Sequence, residues 1–342
     1  MTQPGESIKR IKDKLGPNLT IMGHHYQNDS IIQHVDLKGD SLELARKVSD
    51  ISSKHIVFCG VYFMAESAAL LAGPDQSVHT PSADAKCVMS EMAPVGLVER
   101  VLDKVLSTGR RIIPLTYVNS SAAVKAVCGR NNGAVCTSAN ADRMLEWALA
   151  QGEGVLFLPD RNLALNTAAK LSVKGLVLDI RSGGDRIDPR VCEKYPLLVW
   201  PGCCATHFRF RASHIRDIRK NDPGAKIIVH PECPPEVVEL ADDSGSTSKI
   251  IKYCDQAEAG STVYVGTELN LVLRLAKEQK DRIRVRPLLK SICSNMAKTD
   301  EPRLAGLLEA ISGRGEAEPV RVPEDTAENA RLALARMLEA CS

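Results

Sequence analysis

Three segments of this chain resemble one another in a single order, and that repeat restricts the fold more than any other feature. Apolar runs ending in polar residues occur at 19–27 (LTIMGHHYQ), 111–120 (RIIPLTYVNS) and 225–233 (AKIIVHPEC). They predict buried strands whose C-terminal ends carry polar side chains into a crevice. After each comes a helix start rich in small hydroxyl residues: GDSLELARKVS from Gly39, CTSANADRMLEWALA from Cys136 and GSTSKIIKYC from Gly245. Ser, Thr and Asp suit N-caps there, and helical apolar spacing follows. A second apolar run comes after each helix (55–63, 154–162, 261–270). A third follows (77–87, 197–204, 283–293), and each third run finishes at a cysteine.

Each unit therefore reads strand, helix, strand, helix, strand, which predicts parallel sheets with right-handed crossovers. His24 and Cys87 are 63 residues apart, as are His230 and Cys293, whereas Tyr117 and Cys204 are 87 apart. The middle unit thus carries about 24 extra residues, expected within 171–196. The expected fold is three small doubly wound α/β domains, each a parallel sheet in αβα layers. A pseudo-threefold arrangement would place them around a central active site. Expected boundaries are 1–105, 106–210 and 211–297, followed by a helical tail, 298–342, that packs on the domains through apolar residues at three- and four-residue spacing. The competing architecture is one large α/β sheet with coincidental similarities.

Charge narrows the partners. Lys plus Arg is 44 and Asp plus Glu is 42, a net charge of +2, which gives no broad electrostatic case for nucleic acid or an anionic membrane. Aromatics at 4% argue against stacking platforms for single strands. No apolar run approaches the roughly 18 residues that span a bilayer, and the charged N-terminus lacks the apolar stretch of a secretory signal. The expectation is a soluble, cytoplasmic protein that binds neither nucleic acid nor membrane.

Eleven cysteines, with no C-x-x-C pair among them, do not read as a disulfide framework, a zinc ribbon or a thioredoxin-like site. Ligands of open α/β sheets bind beyond the carboxyl ends of the strands. Three such ends on one axis would bring Cys87, Cys204 and Cys293 together. Converging thiolates select zinc or iron–sulfur, and three protein ligands leave a fourth position open for chemistry. Spacing does not separate a three-cysteine zinc site from a cluster.

The stretches GHHYQ, GDSLELAR, GVYFMAE, YVNSSAAVK, CTSAN, PDRNL, WPGCCATH, HPECP, GSTS, VGTE and CSNMAKTD together resemble the quinolinate synthase family, from roughly Leu19 to Asp300. The resemblance implies a [4Fe–4S] cluster, one per chain, held by Cys87, Cys204 and Cys293 with one iron open as a Lewis acid. It implies condensation of iminoaspartate with dihydroxyacetone phosphate to quinolinate, releasing phosphate and two waters, in de novo NAD biosynthesis. A functional link to an L-aspartate oxidase or dehydrogenase follows from the first substrate. Both substrates are anions, so Ser41, Ser138, Ser246 and Thr247 at helix starts are expected to bind carboxylate or phosphate. His24, Tyr26, His230 and Glu232 are expected to move protons, with Glu232 or His230 the general base. Tyr117 and Asn119 would orient a substrate carboxylate, and His207 would bind substrate or support the cluster. The pattern Trp-Pro-Gly-x-Cys-x-x-His selects Cys204 over Cys203, as does the expectation that neighbouring residues of a strand end point to opposite faces. His25, Tyr62 and the region 171–196 with Cys192 depart from the family pattern. An aconitase-type hydro-lyase, a zinc-dependent lyase and a metal-free anion-binding module are the competing functions.

Overall fold

The computed structural model describes residues 3–341, and among them lie three separate, wholly parallel sheets. The first holds β1 (Leu19–His24), β2 (Leu37–Gly39), β3 (His55–Cys59) and β4 (Ser77–His79) in the spatial order β2-β1-β3-β4. The second holds β5 (Ile112–Tyr117), β6 (Ala134–Cys136), β7 (Gly154–Leu158), β8 (Gly175–Val177) and β9 (Leu197–Val199), ordered β6-β5-β7-β9-β8. The third holds β10 (Lys226–Val229), β11 (Asp243–Ser244), β12 (Thr262–Gly266) and β13 (Arg284–Pro287), ordered β11-β10-β12-β13. Three parallel α/β units stand where the repeat predicts them, and no single large sheet forms.

Two details differ from the sequence expectation. Each sheet gains a short edge strand (β2, β6, β11) before the small helix; at two or three residues such a strand has no readable period. The third strands also stop early, at His79, Val199 and Pro287, so Cys87, Cys204 and Cys293 ride on loops beyond them. Pro81, Pro201 and Pro287 sit at these ends, and proline has no N–H to continue a ladder. The extra residues of the middle unit build a fifth strand. The chain leaves β7 through the helix Arg161–Lys170, forms the outer edge β8, and returns to insert β9 between β7 and β8.

Strands buried on both faces put helices on each side. Ile21, Val57 and Cys59 of the first sheet pack with Ile8 and Ile11 of the helix Pro4–Leu15 and with Leu304 and Leu308 of the helix Glu301–Glu309. Near residue 320 the chain runs beside β4, where the Val320 N–H donates to the Val78 carbonyl at 2.7 Å. The final helix, Glu324–Ala340, then lies on the helix Ala122–Arg130 of the second unit. That approach needs glycine: a Cβ on Gly129 would stand 1.8 Å from the Asn329 carbonyl oxygen. Among the described residues no helix is long and apolar enough to cross a membrane.

Candidate active site

The carboxyl ends of all three sheets open onto one cavity of about 380 Å³, within the size range of small-molecule sites. The first unit supplies His24, Tyr26, Ser41 and Cys87; the second Tyr117, Asn119, Ser138, Cys204 and His207; the third His230, Glu232, Thr247 and Cys293. Of the residues expected at the site, only Ser246 lies elsewhere. It lines a neighbouring pocket, and its hydroxyl caps the helix Thr247–Gln256 by accepting from the Lys249 N–H.

Two repeats share one local device. At the end of β1, the Tyr26 backbone N–H donates to His24 Nδ1 at 3.1 Å; just past β10, the Glu232 N–H donates to His230 Nδ1 at 3.4 Å. A ring nitrogen that accepts carries no proton, so Nε2 holds the hydrogen in both. Burial, with His25 beside His24 and His207 beside His230, brings each pKa down to about 3. Both rings are thus neutral Nε2–H donors near pH 7. His25 is also lowered, to about 4, first by burial.

Glu232 is the centre of a directed hydrogen-bond chain. Tyr117 Oη donates to its Oε1 at 2.5 Å and His207 Nδ1 to its Oε2 at 2.9 Å. With Nδ1 protonated, His207 Nε2 accepts from Thr267 Oγ1 at 3.0 Å, and Thr267 in turn accepts from Tyr26 Oη at 2.7 Å. Thr247 Oγ1 closes the series, donating to Tyr26 Oη at 3.3 Å. Burial alone would raise the Glu232 carboxyl, but His207, His230 and the two donors outweigh it and hold the group below the usual range. Burial, then the Glu232 charge, pushes both Tyr26 and Tyr117 well above the ordinary phenol value. The result is an ionised carboxylate facing two protonated phenols.

Helix starts bring further polar groups. Asp40, not Ser41, caps the helix Ser41–Val48: its Oδ1 accepts from the Leu42 and Glu43 N–H groups, both at 3.0 Å. In the second unit Asn140 precedes the helix Ala141–Gln151, and Ser138 sits in the turn before it. Ser41 and Ser138 therefore line the cavity without capping their own helices.

The three cysteines each line the cavity and are partly exposed. Burial raises all three thiols, Cys87 to about 12 with Cys293 nearby, and Cys204 with Glu232 and Cys87 adding to the rise. Backbone N–H groups just downstream oppose the rise: Ser90 and Met89 at Cys87, His207 at Cys204, Met296 and Asn295 at Cys293. Thiols in such a setting ionise when a cation binds them. Donor atoms of Cys204, His207 and Glu232 also fall within 4.8 Å of one another, but both nitrogens of His207 are occupied by Glu232 and Thr267. Cys203 points elsewhere, beside Asp160 and Arg161. Both cysteines lie past the end of β9, so the alternation of a strand is not what separates them; the loop is.

A family model described as Quinolinate synthetase A protein matches residues 6–339. The quinolinate synthase of Halalkalibacterium halodurans is 43% identical over 343 residues, covering 98% of this chain and 92% of that protein. That of Bacillus cereus strain Q1 is 42% identical over 339 residues, covering 97% and 92%. The chain belongs to the quinolinate synthetase A family. It is an enzyme of that family, and the resemblance seen in its motifs is confirmed over nearly its whole length.

Within this family member, several positions that shape the cavity escaped the sequence reading. Thr267, in VGTE, joins Tyr26 to His207. Asp40, in GDSLELAR, lines the cavity, and its Oδ2 accepts from Ser248 of the third unit at 2.7 Å. PDRNL braces the Glu232 loop: Asn162 Nδ2 donates to the Glu232 carbonyl at 3.1 Å, and Asn166 Nδ2 to the Pro231 and Cys233 carbonyls. Arg209 brings a fixed positive charge to the lining. The motifs marked these segments, but a contact across units has no sequence signature.

Proposed function

We propose that this enzyme condenses iminoaspartate with dihydroxyacetone phosphate to quinolinate, losing phosphate and two waters, with a [4Fe–4S] cluster held by Cys87, Cys204 and Cys293. What carries the reading is the meeting of one cysteine from each unit with the Glu232 hydrogen-bond chain in a single cavity. The donor set suits a cluster: three soft thiols, downstream N–H groups toward the sulfurs, and space beside them. When bound, such a cluster supplies a Lewis acid at its open iron.

The chain's own residues divide the remaining work. His24 and His230 present Nε2–H donors, and Ser41, Ser138, Thr247 and Arg209 add hydroxyls and charge, for the carboxylates and phosphate of two anionic substrates. Asn119 and Tyr117 orient the substrate at the second unit. Glu232, ionised and held by two donors, takes protons during tautomerisation and ring closure. Tyr26 Oη gives a proton to a departing hydroxyl, and Thr267 and Thr247, both hydrogen-bonded to it, hold it in place. Ser246 serves its helix rather than the substrate. An L-aspartate oxidase or dehydrogenase is the supplier that the first substrate implies, and the cytoplasm the compartment.

Protein purified without oxygen tests this directly. About four irons per chain and quinolinate formed from the two substrates are expected. Protein that stays colourless after reconstitution with iron and sulfide, or turns over a hydroxy acid but not dihydroxyacetone phosphate, would refute the reading.

A further inference from the structure

A pair of histidines outside the cavity has no role in the chemistry above. In the first sheet β3 and β4 pair with His55 opposite Ser77 and Val57 opposite His79. Residues two apart on a strand share a face, as do directly opposed residues. His55 and His79 therefore project on one face as diagonal neighbours, with ring centroids 5.6 Å apart and planes tilted by 47°. His79 Nδ1 lies 3.3 Å from the Glu318 carbonyl oxygen. A carbonyl only accepts, so Nδ1 carries the hydrogen and Nε2 the lone pair. That Nε2 is buried without a partner among the described residues, and so is His55 Nδ1; His79 itself is only 3% exposed.

We propose that His55 Nδ1 and His79 Nε2 form a binding site for a divalent cation of the zinc class, separate from the catalytic cavity. Metal–nitrogen bonds of about 2.0–2.1 Å at a near-tetrahedral angle, plus ~1.1 Å from nitrogen to ring centre, put two ligating rings about 5–6 Å apart; the observed separation falls in that interval. Imidazole suits zinc, nickel and copper(II). The contact from Nδ1–H to a backbone carbonyl is the outer support that metal-binding histidines use to fix tautomer and orientation. Burial, first among the causes at both residues, lowers their pKa values, and the neutral ring is the form that ligates. Two protein nitrogens are half of a tetrahedral set, which oxygen ligands complete. Bound there, it ties β3 and β4 to the passing chain, since Glu318 holds His79 and Val320 bonds to Val78.

Cluster-loaded protein, incubated anaerobically with zinc chloride and dialysed, is assayed for zinc and iron and examined by zinc-edge X-ray absorption. The expected result is one zinc per chain with nitrogen and oxygen neighbours, no sulfur, unchanged iron, and zinc lost in His55→Gln and in His79→Gln. His79 is buried and its variant can misfold. His55 is partly exposed, so His55→Gln, with wild-type iron content and turnover, decides the question. No zinc on the wild type, zinc retained by His55→Gln, or sulfur in the zinc shell overturns the proposal.

Discussion

Replacing Thr267 with valine tests whether the chain from Tyr26 to Glu232 acts as a unit. Thr267 is wholly buried just past β12, and its hydroxyl is the sole bridge between Tyr26 Oη and His207 Nε2 among the described residues. Valine keeps the branched shape but deprives His207 Nε2 of its donor, and a buried polar group left unmade costs about 1–3 kcal/mol. Tyr26 loses less, since Thr247 Oγ1 remains 3.3 Å away. Together these predict a stability loss of about 2 kcal/mol. Turnover should fall about 10–100-fold as His207 and Tyr26 lose their fixed orientation. Thr267→Ser keeps the hydroxyl and removes one methyl, costing about 1 kcal/mol with turnover near wild type. The assay is the anaerobic rate of quinolinate formation beside iron content and denaturant midpoint for both variants. If valine and serine variants lose equal stability and both turn over normally, the hydroxyl links nothing and the chain is only packing.

Other perturbations address separate parts of the molecule. Cys204→Ala should purify without iron and without activity, while Cys203→Ala keeps both; iron per chain reads the difference, and the reverse pattern would place the ligand at Cys203. Burial lowers Lys125, whose Nζ donates to the Val118 and Ser120 carbonyls, from 10.5 to about 8. Between those values the unfolded chain binds the extra proton, so stability should rise with pH from about 8 towards 10.5, by up to about 3 kcal/mol. Urea midpoints of wild type minus Lys125→Met across that range should show the rise, and a flat difference would contradict it. Gly129→Ala places a methyl against the Asn329 carbonyl and should cost about 1–3 kcal/mol; limited proteolysis should then release the final helix, and wild-type resistance would count against the packing described.

The polar strand ends, the parallel α/β units and the three cysteines were legible in the sequence because each is a local pattern repeated in order. A strand that ends in polar residues, a cap before a helix and a proline after a strand are set by neighbours in the chain. The family motifs added the identity of the candidate ligands by the same logic. Ser41 shows where that logic stops: the small residue is visible, but whether it caps its helix depends on a neighbour, Asp40.

Only the tertiary structure decided how the pieces meet. Tyr26 and Thr267 are 241 residues apart in sequence, and Asp40 and Ser248 are 208 apart, yet they touch because three separate sheets turn their carboxyl ends to one cavity. The orientation of Cys204 against Cys203, the ionised state of Glu232 and the pairing of His55 with His79 depend likewise on burial and on groups from other strands or units. Periodicity reports which face of an element is buried; it carries no information about what another unit places against that face.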